Sequence, residues 1–211
     1  MIRYPTVPVC KILMLKSRPM SISVIVGLGN PGAQYAATRH NVGHWLLDQL
    51  AADAKVSLGA EKKVLGEVAQ ASIGGHAVRL LKPSTYMNES GQSVRRMLDF
   101  YKLEPEQLLV LHDELDLPPG TVRLKRGGGH GGHNGLRDII SHCGSDFMRL
   151  RIGIGHPGDK SMVTHFVLKP PGSAERQLIE AALPAAHRAI ETLLRDGPEK
   201  AMHFLHTDRE P

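Results

Sequence analysis

The sequence predicts an α/β fold: a single domain built on a mixed, mostly parallel sheet with helices on both faces. Two observations predict it. Through the middle of the chain, β-branched and aliphatic runs of strand length alternate with segments whose apolar residues recur at helical spacing. The 211 residues, 41% of them hydrophobic, also suffice to bury one compact core.

In chain order, "SISVIVGL" is a β-branched run read as a strand, and "VGHWLLDQLAADA" a helix with Val42, Trp45, Leu46 and Leu50 on one side. "VLGEVAQASIGGHAVRLLKP" divides into two strands about the turn pair Gly74-Gly75. "NESGQSVRRMLDFYKL" reads as a helix, Glu104-Pro105-Glu106 as a turn, and "LLVLHDELD" as a fourth strand whose apolar run stops at His112-Asp113. "TVRLK" and "MRLRIGIG" are strands on either side of a helix in "HNGLRDIISHC". From Ser173 to about Arg195 the pattern is helical, with Pro184 expected to kink or split it, and a last helix follows Gly197-Pro198.

In sheets of this type, ligands collect beyond the carboxyl ends of the strands. Three polar clusters are read there: Asn30 after the first strand, Asp113 after the fourth, and the glycine-rich segment after "TVRLK". Their convergence is the central structural expectation.

Charge and cysteines narrow the classes. The net charge of +5 comes largely from residues 1–20, which carry Arg3, Lys11, Lys16 and Arg18 and no acid; the other 191 residues hold 22 basic against 21 acidic side chains. Global basicity is therefore no argument for a nucleic-acid partner. Cys10 and Cys143 form no framework, which fits a reducing cytoplasm. No apolar run approaches the ~20 residues of a membrane span. Residues 1–20 lack the apolar core of a signal peptide, and Pro5, Pro8 and Pro19 spoil a transit helix. They are expected to be a disordered extension, or the product of an upstream start with Met20 the natural beginning; residues 21–211 are expected to form the domain.

Gly27, Gly29 and Gly32 in "VGLGNPG" match the G-x-G-x-x-G dinucleotide fingerprint. That reading needs a helix at the third glycine and an acid ending a strand about 20 residues on. Pro31-Gly32 marks a turn instead, and Asp48 and Asp53 fall inside a helical stretch.

In "TRHNVGH", His40 reads either as a solvated first-turn residue or as a base. Asp113 would favour the second by accepting from one ring nitrogen and steadying the imidazolium formed when the other takes a proton from water. "HDELD" offers His112, Asp113, Glu114 and Asp116 to a divalent metal, but a two-metal site draws carboxylates from several segments and the other clusters are mostly Asn, His and Gly. His130 and His133 could bind zinc but lack a zinc motif's spacing, so a metal is the weaker reading. The loop "KRGGGHGGHNGLRD" holds six glycines between Gly127 and Gly135 without a Walker A closure. From Leu117 to Arg137 it brings four bases and no acid, a local patch for a nucleic-acid backbone that Arg149 and Arg151 extend; a solvated basic face is the alternative. Asn88 is either a helix cap or, with Asn30 and Asn134, part of an amide pocket for peptide groups.

Together, "VGLGNPGAQYAATRHNVG", "KPSTYMNESG", "HDELDLPPG", "GGGHGGHNGLRDI" and "RLRIGIGHPGD" resemble bacterial peptidyl-tRNA hydrolase, in order and spacing, from about Ser21 onward. The resemblance implies cleavage of the ester between peptide and tRNA, recycling tRNA from drop-off products. It implies His40 as catalytic base and Asp113 as its partner. Asn30, Asn88 and Asn134 would orient the peptide and water, Tyr35 and Met87 would line the cleft, and His133 would be a loop residue near substrate. Lys125 and Arg151 would clamp the tRNA 5′-phosphate, with Arg123 standing where lysine is common. It further implies no metal or organic cofactor, no obligate protein partner, no membrane, and a monomer acting on the acceptor stem, CCA end and peptide of peptidyl-tRNA. The glycines of "GLGNPG" would then serve a tight turn that displays Asn30 into the cleft. Two rivals stand beside this: a non-catalytic RNA-binding protein on the same scaffold, and a metal-dependent phosphoesterase built on "HDELD".

Overall fold

The computed structural model describes residues 21–207, so the expectation for residues 1–20 lies outside it. The first apolar run forms strand β1 (Val24–Gly27), buried throughout. There follow α1 (Val42–Asp53), β2 (Gly59–Glu61), β3 (Gly66–Ile73), β4 (His76–Pro83), α2 (Ser90–Tyr101), β5 (Leu108–Glu114) and β6 (Val122–Arg126). The chain continues through α3 (Asn134–Cys143), β7 (Met148–Gly153), α4 (Val163–Val167), α5 (Ser173–Asp196) and α6 (Pro198–Thr207).

The strands form one sheet in the order β2-β3-β4-β1-β5-β7-β6. The pairs β4–β1, β1–β5 and β5–β7 are parallel, while β2–β3, β3–β4 and β6–β7 are antiparallel. Ile25, Leu109, Leu111 and Leu150 face α1, α5 and α6; Val24, Val26 and Val110 face α2 and α3. A strand covered on both faces has no polar side, which is why β1 and β5 read as unbroken apolar runs rather than alternating ones.

The fingerprint glycines serve close packing. A Cβ on Gly27 would lie 2.5 Å from the Gly43 carbonyl oxygen, and one on Gly29 would enter the His44 ring. Gly32, at φ +102°, makes the turn. No helix opens there, because α1 begins only at Val42. The glycines let α1 settle directly on β1 instead of cradling a pyrophosphate.

Two expectations need correction, and two short elements lay outside them. Pro184 does not split α5, which runs unbroken from Ser173 to Asp196. Pro184 lies on the exposed face, as does Glu180, so water can satisfy the carbonyl that the missing N–H abandons. Strand β2 and helix α4 were not expected: one has three polar or small residues, the other little more than one turn, too short for a periodic signal. The glycine-rich segment does not leave from the carboxyl edge. Because β6 is antiparallel to β7, Gly127 starts at the amino edge, where its N–H bonds Phe147 O at 2.9 Å, and the loop crosses back to reach α3. Small residues suit that crossing, and the buried Arg149 guanidinium braces it by donating to the carbonyls of Gly128 and Gly129.

Candidate active site

The parallel strands β4, β1 and β5 end on one edge, where the chain leaves β4 toward Met87 and β1 toward Asn30, and Asp113 stands at the carboxyl end of β5. Helices α1 and α2 lie on opposite faces, so this edge is the place where the winding reverses and a crevice opens. The crevice is a cleft of about 1080 Å³ that includes Asn30, His40, Asn88, Asp113, His133 and Asn134 in its lining. The glycine loop reaches it after all, by its far end.

His40 sits in a 3-10 turn (Arg39–Asn41) that leads into α1. It is 7% exposed, which rules out the solvated reading. Its Nδ1 lies 2.9 Å from both Asp113 carboxylate oxygens, although the two residues are 73 positions apart. The β1–β5 register pairs Gly27 with Leu111, and the close packing of α1 on that pair carries His40 over Asp113.

Asp113 has a second partner. His133 Nδ1 accepts from the Leu136 N–H at 3.3 Å, capping α3, so Nε2 carries the ring's proton and donates it to Asp113 Oδ1 at 2.9 Å. His112 is oriented too: its Nδ1–H donates to the Asp113 carbonyl at 2.7 Å, and its ring stands edge-on to His133 with centroids 5.2 Å apart. Burial, then the neighbouring His133, lowers His112 to about 3, so it stays neutral.

Burial alone would pull His40 down, but the Asp113 charge and hydrogen bond override it and hold His40 above the ordinary imidazole value of 6.5. Burial would raise Asp113; the two imidazoles reverse that and keep it well below the usual carboxylate range. With Nδ1 committed to Asp113, His40 keeps Nε2 as its basic nitrogen.

The amides are placed by the main chain. Asn41, which sequence reasoning missed, accepts from Asn30 N–H at 2.9 Å and donates to Asn30 O at 2.9 Å, a side chain mimicking a strand. Asn30 Oδ1 accepts from Met87 N–H at 2.8 Å, leaving Nδ2 as its donor. Asn134 Oδ1 is held by Arg137 at 3.2 Å, again leaving Nδ2. Asn88 is exposed, and neither its own turn nor α2 takes a side-chain cap, so the capping reading falls. A Cβ on Gly135 would lie 2.5 Å from Met87 Sδ; its absence lets α3 close on the Met87–Asn88 turn. Tyr35 meets Tyr86 edge-to-face at 6.4 Å on the rim.

The basic residues form a separate strip. Cross-strand pairing sets Arg123 opposite Arg151 and Lys125 opposite Arg149, all four leaving the strands on the side away from Leu124 and Leu150, with Arg123 then bending round the sheet edge at β6. Arg151 is bonded to Glu114 at 2.8 Å, and Lys125 is exposed. Arg123 donates to the carbonyls of Val122 and Leu205 and so turns toward α6. None of the three lines the cleft, but Glu114 does and joins the strip to it.

Among the described residues, His40, Asp113 and His133 form the group of side chains placed to hold a metal, their ligand atoms within 4.8 Å of one another. The tautomers oppose it, since His133 Nε2 bears a proton for as long as Nδ1 caps α3. No helix among the described residues is long and apolar enough to cross a membrane.

Comparison with known proteins gives a consistent result. The family model described as peptidyl-tRNA hydrolase matches residues 24–211. Peptidyl-tRNA hydrolase of Pectobacterium atrosepticum is 55% identical over 188 residues, 88% of this chain and 96% of that one. That of Haemophilus influenzae is 51% identical, over 88% and 97%. A crystal structure of peptidyl-tRNA hydrolase from Acinetobacter baumannii superposes with a TM-score of 0.86 at 50% identity, covering 90% of this chain and 96% of that chain. A peptidyl-tRNA hydrolase complex with N-propanol gives 0.88 at 49%, covering 92% and 99%.

Proposed function

The chain belongs to the peptidyl-tRNA hydrolase family, and from that premise we propose that it hydrolyses the ester between peptide and tRNA by general-base activation of water. The observation that carries the mechanism is the buried His40–Asp113 contact at 2.9 Å inside an amide-lined cleft. His40 Nε2 takes a proton from a water molecule as the water attacks the ester carbonyl. Asp113 steadies the imidazolium through Nδ1, and His133 fixes the carboxylate from the other side. The Nδ2 donors of Asn30, Asn88 and Asn134 orient the peptide group and meet the developing oxyanion. A positioned base supplies about 10²–10⁴-fold and an oxyanion donor about 10²–10³-fold, adequate for an activated ester.

Neutral amides also explain selectivity. The free ammonium of an aminoacyl-tRNA would lose water beside carboxamides that do not compensate its charge, whereas an N-acylated nitrogen would not. The carboxylates Asp113 and Glu114 are already paired, the first with His40 and His133 and the second with Arg151. Residues 21–211 are the catalytic domain in this reading. The enzyme works as a cytoplasmic monomer with no obligate protein partner and no cofactor.

The test is peptide release from N-acetylaminoacyl-tRNA with and without EDTA. Equal rates are expected. Activity abolished by the chelator would instead favour a metal at His40, Asp113 and His133.

Lys125 and Arg151 are assigned to the tRNA 5′-phosphate. Their exposed or rim position on the β6–β7 strip supports this, and Arg123, turned toward α6, contributes less. Each Ala variant should raise KM and lower the salt slope of log KM by about one phosphate contact, leaving kcat nearly unchanged. Salt titrations that give parallel slopes for parent and variants would remove the clamp.

A further inference from the structure

We propose that Arg39 is a positioning residue that ties the apolar wall of the cleft to the turn carrying His40, and so sets how tightly the enzyme grips the peptide's side chains. The inference rests on the hydrolase reading above. Arg39 immediately precedes His40, yet its side chain leaves the dyad and crosses to the far end of α4. It is 7% exposed. Its Nη1 donates to the carbonyls of Phe166 at 3.1 Å, Lys169 at 3.3 Å and Pro170 at 3.0 Å, and its Nη2 pairs with Glu175 in the first turn of α5 at 2.6 Å. Its main-chain N–H donates to Lys169 O at 3.1 Å, and its guanidinium lies over the Phe166 ring at 3.9 Å.

The acceptors are carbonyls at the end of α4 and in the segment just beyond it, where a cation also meets the negative end of the helix. One planar fork serves three carbonyls and a carboxylate at once, which a lysine ammonium cannot do in this geometry. Helix α4 has five residues, too few to hold its own shape. It and the residue after it present Val163, Val167 and Leu168 to the cleft. The rest of the lining carries the amides, imidazoles and carboxylates, with Tyr35, Tyr86, Met87 and Leu115 as its other apolar surface. An aliphatic wall suits peptide side chains, not ribose and phosphate. Arg39 therefore joins the wall that selects side chains to the element that carries the base.

Two substrates separate this role from a merely structural one: N-acetylglycyl-tRNA, with no side chain to touch the wall, and N-acetylleucyl-tRNA. In R39K, KM for the leucyl substrate should rise about 10-fold or more, the scale of a lost apolar contact. The glycyl substrate should stay within about twofold, because Asp113 still holds His40. E175Q breaks only the ion pair, so it should change leucyl KM in the same direction by less, and it serves if R39K does not fold. Equal losses on both substrates, or no selective loss in either variant, would overturn the proposal. A parent that releases neither peptide would refute the hydrolase reading itself, and this inference with it.

Discussion

His40→Ala is expected to lower kcat by about 10²–10⁴-fold while tRNA affinity stays within a few fold. The two effects separate because the groups are separate. His40, the proposed base, lies in the cleft, held by a carboxylate that is itself 3% exposed, whereas the cationic strip lies on β6 and β7, outside the cleft lining. Alanine removes the imidazole that pairs with Asp113 and, with it, the basic nitrogen proposed to face the ester. Single-turnover release from N-acetylaminoacyl-tRNA, alongside equilibrium binding of deacylated tRNA, measures both quantities. Turnover at the parent rate would remove His40 from the mechanism; a collapse of binding would mean that the turn also builds the RNA surface.

Asp113→Asn should cost a comparable or larger factor, about 10³–10⁴-fold in kcat, for a different reason. Asp113 accepts from His40 Nδ1–H and from His133 Nε2–H at 2.9 Å each. An asparagine has one carbonyl oxygen for two N–H donors, and its NH₂ must then face one of them. Either His133 loses its bond and the start of α3 shifts, or His40 turns its ring to the wrong tautomer and offers a protonated Nε2 to the water. A variant within about threefold of the parent rate would contradict the two-imidazole arrangement.

How much of this could be read beforehand depended on how local the signal was. The central strands were legible because burial on both faces leaves nothing but Val, Ile and Leu in "VIV" and "LLVL". The chemistry of His40, Asp113 and the three asparagines was legible as residue types, and their motifs gave the family. Their meeting was not: it depends on the register of β1 against β5 and on two glycines that let α1 touch β1. Period-two patterning does not encode the direction of an edge strand, so the crossing of the glycine loop, with Arg149 as its brace, could not be foreseen from "TVRLK". Asn41 and the second bond of Asp113 were hidden for a similar reason. Each is a side chain satisfying a group brought near only by the finished fold, 11 and 20 positions away in the chain.

Catalysis by an imidazole that a buried carboxylate holds basic is read directly by the pH dependence of kcat/KM. A base must be neutral to act, so activity falls as pH drops through the value of His40, which Asp113 holds above 6.5. In Asp113→Asn the opposing charge is gone and burial is left to act alone, which pulls His40 below that value. Measured on N-acetylaminoacyl-tRNA, the parent should therefore lose activity at an acidic limb above 6.5, and the variant should carry its residual activity to lower pH. Superimposable limbs in the two proteins, or a variant whose limb moves toward alkaline pH, would contradict it.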